Sequence, residues 1–179
     1  MAQATQQRGV TLIEMIVSLA VVVILLAIAV PNLEQLRLRN RVQLVAQTMM
    51  TDLQQARSEA ILRSDTIHFR FSRNSQGSCY LIYTGTSGAC RCDDSGQAVC
   101  TAAGQLVKQE WLPSTQRLSI HANVSSMSFQ ARQGLVTSTG SIEIGTANGQ
   151  AIRHIVSIAG RVRSCSPGGS FKAMPKCAA

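Results

Sequence analysis

Three sets of residues in this chain are of types, and at spacings, that can do chemistry. Arg161 and Arg163 stand one residue apart in Gly160-Arg161-Val162-Arg163. On an extended backbone two such side chains leave on the same side, ~6.6 Å apart at ~3.3 Å per residue. Two guanidinium forks placed this way can each clamp a pair of phosphate oxygens, and Gly160 permits a sharp turn just before them. Glu14 is the second feature, the only charge in an apolar run from Val10 to Val30. A carboxylate inside a spanning helix costs about 2.5–3.5 kcal/mol on insertion scales, so it calls for a partner. The third set is six cysteines: Cys79, Cys90, Cys92, Cys100, Cys165 and Cys177.

The cysteines fall in two groups, four in a Gly/Ser-rich stretch from Gly77 to Gly104 and two at the carboxyl end. Sequence alone does not choose among the pairings open to six cysteines. The simplest division keeps each group to itself, and Cys165 with Cys177 would close a loop of about 13 residues, worth roughly 3 kcal/mol. A metal site is the competing reading, because Cys90-Arg91-Cys92 lies close to Cys79 and Cys100. Zinc pairs want about two to four residues between ligands, and no histidine accompanies these, so disulfides in an oxidising compartment are favoured.

The elements that must position these residues follow from composition and periodicity. The chain has 179 residues, a net charge of +8 and 45% hydrophobic residues. At this length one domain with its own core is expected, and the basic excess points to an anionic partner, nucleic acid or a lipid surface. About 20 helical residues cross a bilayer core, so Val10–Val30 is long enough to do so. After Pro31, Leu33, Leu36, Val42, Val45, Met49, Leu53, Ala56 and Ala60 recur at helical spacing with polar residues between them. One long helix from about Val10 to Leu62 is therefore expected, with Pro31 kinking it without ending it.

From Thr66 the period changes to two. Strands are expected at Ile67–Phe71, Cys79–Thr84, Leu106–Trp111, Arg117–Ile120, Met127–Ala131, Leu135–Thr137, Ser141–Gly145 and Ala151–Ile158. Asn148-Gly149 is a hairpin turn between the last two. A long helix followed by short strands is an α+β arrangement.

The front of the chain admits three readings. It can be a plain membrane anchor. It can be a secretory signal peptide with Arg8 as its n-region, Leu19–Leu26 as its h-region and a cut at Ala27-Ile28-Ala29. In the third reading Glu14 is the informative residue. The segment Arg8-Gly9-Val10-Thr11-Leu12-Ile13-Glu14, followed by the apolar run and Pro31, resembles the amino-terminal signature of type IV pilins and pseudopilins. That resemblance implies a leader of residues 1–9, cleavage by a prepilin peptidase after Gly9, N-methylation at Val10 and an assembly role for Glu14. The family prefers Phe where Val10 stands. Cleavage would create an ammonium group at Val10 one helical turn from Glu14, and in a packed filament that carboxylate can pair with a neighbouring subunit's terminus.

The same resemblance implies a pilin-like α+β fold, narrowed to FimT-like minor pilins and H-type pseudopilins. Residues 10–30 would form the transmembrane half of the helix and residues 31–179 a periplasmic body. Within that body lie an amphipathic helix at 32–63, a β body at 66–164 and a basic tail at 160–179. The protein would sit in the inner membrane by a single pass before joining other pilins or pseudopilins in a filament.

Charge distribution places the functional end. Beyond Trp111 seven basic residues face a single acidic one, Glu143, a balance of +6. The Gly160-Arg161-Val162-Arg163 segment, in this basic carboxyl-terminal region, resembles the DNA-binding motif of FimT-like minor pilins that serve natural transformation. That resemblance carries to Arg161 and Arg163. Charge and position add Lys172, Lys176 and Arg153. Only seven aromatics are present. Phe69, Phe71 and Phe129 read as core, so stacking platforms for single strands are scarce, with Phe171 as a candidate. The expected mode is phosphate-dominated, sequence-tolerant binding to double-stranded DNA, with a log–log salt slope near −3.6 for about four contacts.

An enzyme is the contrasting class. His68, His121 and His154 are scattered, acidic residues are sparse, and no nucleophile elbow, zinc-protease pair or phosphate loop occurs; no cofactor is expected. The closer rival is a purely structural subunit, either a pseudopilin of type II secretion or a priming subunit of pilus assembly.

Overall fold

The computed structural model describes residues 11–178. Gly9 and Val10 lie outside the described residues. The chain divides into two compact units, Met1–Asn40 and Arg41–Ala179, which are taken separately.

The first unit is helical from Leu12 onward, and the helix α1 to which it belongs runs to Arg63. Thr11 caps its start: the amide of Glu14 donates to Thr11 Oγ1 at 3.4 Å, the backbone half of a Thr-x-x-Glu capping box. Pro31 stands inside α1 and does not end it. Leu12 to Val30 is apolar and solvent-facing on every side. This is a helix long and apolar enough to cross a membrane.

In the second unit α1 turns amphipathic. Val42, Ala46, Met49, Leu53, Ala56 and Ala60 are buried, at spacings of three and four that make one stripe. Asp52 is buried on the same helix because Tyr80 Oη donates to its Oδ2 at 2.6 Å and Lys108 Nζ lies 2.7 Å from the same oxygen.

Ten strands follow: β1 (Ile67–Arg73), β2 (Gly77–Gly85), β3 (Cys90–Cys92), β4 (Ala98–Cys100), β5 (Gly104–Pro113), β6 (Leu118–Ala122), β7 (Ser126–Phe129), β8 (Gly140–Thr146), β9 (Ala151–Val156) and β10 (Val162–Cys165). They build two four-stranded sheets, in the orders β5-β2-β1-β7 and β10-β9-β8-β6, and a β3–β4 ribbon. All pairings between these strands are antiparallel. The helix meets both sheets, through Tyr80 on β2 and through His154 on β9, whose Nε2 donates to the Ala46 carbonyl at 2.9 Å.

Four strand expectations need correction. β6 opens at Leu118 rather than Arg117, whose φ of 56° is left-handed. Leu135–Thr137 does not form a strand. Its single bridge is Val136 to Phe129, flanked by the bonds Gln130 N to Leu135 O and Thr137 N to Ser128 O, while the Val136 amide faces the other way and donates to Ile158 O. β7 stops at Phe129 rather than Ala131, since Arg132 and Gly134 take positive φ in a tight turn. β9 stops at Val156, where Ser157 to Gly160 reverse the chain into β10. The Asn148-Gly149 turn is present, with only Gly149 at positive φ (79°).

The disulfides are Cys79–Cys92, Cys90–Cys100 and Cys165–Cys177. The amino-terminal four pair among themselves around the β3–β4 ribbon, packed with Tyr83 and Leu81. Among the described residues no cysteine is free and no group of acidic, His or Cys side chains is placed to hold a metal.

Candidate functional site

The β9–β10 hairpin is built on Gly160. Its φ is +70°, a left-handed conformation that suits glycine, and its amide donates to Ser157 O at 2.8 Å. A Cβ here would stand 2.5 Å from Gly134 O and 2.8 Å from Arg57 Nε. The turn therefore needs glycine for conformation and for space.

Alternation along β10 then sorts its side chains. Ser164 lies on the face toward α1, its hydroxyl 2.8 Å from His154 Nδ1 and in contact with Met50. Arg161 and Arg163 are on the opposite face and exposed, as period-two geometry requires. The pairing of Ser157 with Arg161 and Ile155 with Arg163 turns the Val162 backbone toward the free edge of the sheet.

Between this edge and α1 lies a groove of about 460 Å³ lined by Gln54, Arg57, Ser58 and the segment Gly160-Arg161-Val162-Arg163. Its lining includes three arginines and no acidic residue. Among the described residues the ion pairs are Arg63–Glu59, Lys108–Asp52 and Arg153–Glu143, so none of these three arginines is neutralised. Sequence reading did not find Arg57, one of many polar residues on its helix and 103 positions before Gly160.

The structure treats the other basic residues differently. Arg153 is paired: Nε and Nη2 both donate to Glu143 Oε2, at 3.0 and 2.7 Å, across the β8–β9 pair. Lys172 and Lys176 are exposed on a tail that is tied down rather than loose. Cys165–Cys177 closes it with Cα atoms 4.9 Å apart, and Ser166 N donates to Pro175 O at 2.9 Å. Lys176 bridges to Ser166, three residues along from Arg163, or ~10 Å at ~3.3 Å per residue.

Phe171 is buried and anchors that tail, so it offers no stacking face. Phe69, Phe71, Phe129, Tyr80 and Tyr83 are buried as well, and Trp111 packs over Gly77 and Gly96. Six of the seven aromatics are thereby buried, and Trp111 is partly covered.

His68 and His154 are core residues with both ring nitrogens bonded, His68 to Ser128 and the Gly85 carbonyl, His154 to Ser164 and the Ala46 carbonyl. Burial holds the His154 pKa below the ordinary histidine range. A carbonyl accepts only from N–H, so each ring is protonated on Nε2 and accepts a hydroxyl proton at Nδ1. Neither is placed as a general base.

A family model described as "Type II transport protein GspH" matches residues 45–160, and one for the prokaryotic N-terminal methylation motif matches residues 5–30. The first match ends at Gly160, leaving Arg161, Arg163 and the tail beyond it. Among solved structures, the fold is similar to that of the minor pseudopilin EpsH from the type 2 secretion system of Vibrio cholerae. Identity is 15%, covering 71% of this chain and 98% of that one, with a TM-score of 0.51. The type IV minor pilin FimU of Pseudomonas aeruginosa is also similar, at 19% identity over 70% and 88% of the two chains and a TM-score of 0.49. No curated protein matches in sequence.

Proposed function

The chain belongs to the GspH family, and from that premise we propose that it is a minor pilin whose Gly160-Arg161-Val162-Arg163 hairpin binds double-stranded DNA for uptake. It is a minor pilin or pseudopilin: membrane-anchored before assembly, with its body in the periplasm, and then part of a filament. In our reading it is a structural and binding subunit rather than an enzyme.

Assembly follows from the amino terminus. A prepilin peptidase cuts after Gly9, and Val10 becomes the methylated terminus. Glu14, one turn on, then meets the terminal ammonium of a neighbouring subunit in the filament, where pairing offsets the desolvation of both charges. Pro31 relieves the helix as it packs.

The observation that carries DNA binding is the pair Arg161 and Arg163, exposed side by side with no carboxylate partner, in a protein with six of its seven aromatics buried. Such a surface reads phosphates rather than bases. Lys172 and Lys176, on the disulfide-closed tail, extend the contact along the backbone. Arg153, paired to Glu143, contributes little. A gel-shift titration of a duplex with the full chain in non-ionic detergent tests this. The variant carrying Arg161→Gln and Arg163→Gln should lose most of its affinity while keeping its melting temperature. Equal affinity of variant and wild type removes the assignment.

A second reading is favoured by the family description itself: a pseudopilin of type II secretion without DNA binding, or a subunit that primes pilus assembly. It shares the leader, the helix and the sheets, and it predicts no duplex binding at all.

A further inference from the structure

Arg57 is the least explained charged residue of the body. Its Nε is buried and has no hydrogen-bond partner. A buried guanidinium donor left unpaired is costly, and in a native structure it signals a missing anion or water. Its surroundings supply no counter-charge: the groove it borders holds Gln54, Ser58 and two further arginines. Gly160 lets the chain pass directly over it, since a Cβ there would come within 2.8 Å of Nε and 2.9 Å of Cδ. No acidic residue lines the groove, so nothing there offsets the charge of Arg57.

We propose that Arg57 is a third DNA-contacting arginine, and that the groove between α1 and the β9–β10 turn seats one backbone phosphate. Arg57 approaches that phosphate from the helix and the outward-turned Val162 backbone borders it from the strand, while Arg161 and Arg163, on the other face of β10, meet neighbouring phosphates of the same duplex. The proposal rests on the DNA reading and adds to it: the site spans two elements, and the helix fixes where along the duplex the hairpin is held.

The test uses the full chain in non-ionic micelles, with Arg57→Gln, Arg57→Lys and Arg161→Gln compared by fluorescence anisotropy on a duplex over a salt series. Arg57→Gln should lower affinity roughly tenfold and reduce the salt slope by about 0.9, the loss of one phosphate contact. Arg57→Lys should keep the slope, because the charge is retained. A residue with only a packing role would change affinity or melting without changing the slope. Wild-type affinity and slope in Arg57→Gln, alongside a defect in Arg161→Gln, overturns this inference and leaves the DNA reading standing. If the wild type binds no duplex, the DNA reading fails. The groove is then judged by inorganic phosphate alone: a shift of the Arg57 Nε–H resonance on titration supports an anion site there, and no shift refutes it.

Discussion

Gly160 and Arg57 are packed so closely that the turn joining β9 to β10 admits no Cβ: one would stand 2.8 Å from the Arg57 Nε. The glycine that aims two arginines outward also closes over a third. A local backbone requirement and a distant side chain on α1 thus fix one groove together.

Gly160→Ala should therefore destabilise the body by at least ~1–2 kcal/mol from the left-handed backbone alone, with the clash against Gly134 O adding to it. Thermal unfolding of the variant would show this as a lowered melting temperature. An unchanged melting temperature means that the turn relaxes into another conformation.

The Cys165–Cys177 bond, with Phe171 buried inside its loop, holds Lys172 and Lys176 on the body. Replacing both cysteines with serine should cost roughly 3 kcal/mol by loop-closure entropy. Urea unfolding measures that loss. Proteolysis should then cut the tail first.

Acid should weaken the fold through His154. Burial lowers its folded pKa, so the unfolded chain takes up a proton where the native ring does not. The stabilisation is complete above the unfolded value of ~6.5 and is lost as pH falls below it, by up to ~1.4 kcal/mol per pH unit. Protonation of Nδ1 also reverses its hydrogen bond, so that the Ser164 hydroxyl on β10 accepts instead of donating. Urea midpoints at neutral and mildly acidic pH should diverge in the wild type and converge in His154→Gln.

Alkali should weaken it through Tyr80. Burial first, and the bond to Asp52 second, push the phenol pKa well above the ordinary tyrosine range. The unfolded chain ionises near ~10 while the native phenol does not, so stability is full below that pH and falls above it. Tyr80→Phe should flatten the alkaline decline. It should also cost about 1 kcal/mol at neutral pH, because Asp52 loses one donor.

The long helix and most strands were legible because periodicity of 3.6 or 2 is written in local apolar spacing. What escaped depends on partners far away in sequence. β10 reads as a charged tail because its one buried position, Cys165, and its half-buried Ser164 are not strongly apolar. Leu135–Thr137 alternates like a strand, yet the Val136 amide is claimed by Ile158 across the molecule. Phe171 looks like a spare aromatic until the disulfide loop folds it inward. Arg57 carries no local signal at all, since its meaning comes from Gly160.

Arg153 is different, because its pairing could have been found. A hairpin turning at Asn148-Gly149 sets Glu143 opposite Arg153, and Glu143 is the sole acidic residue beyond Trp111.

The most direct test of the central claim is the salt dependence of duplex binding by the wild type and by the variant carrying Arg161→Gln and Arg163→Gln. Four phosphate contacts from Arg161, Arg163, Lys172 and Lys176 predict a log–log slope near −3.6, falling to about −1.8 when the two arginines are lost, at ~0.9 per contact. With Arg57 contacting a phosphate as well, both slopes steepen by about 0.9 and the difference between them is unchanged. Equal slopes in the two proteins, or no binding by the wild type, would contradict it.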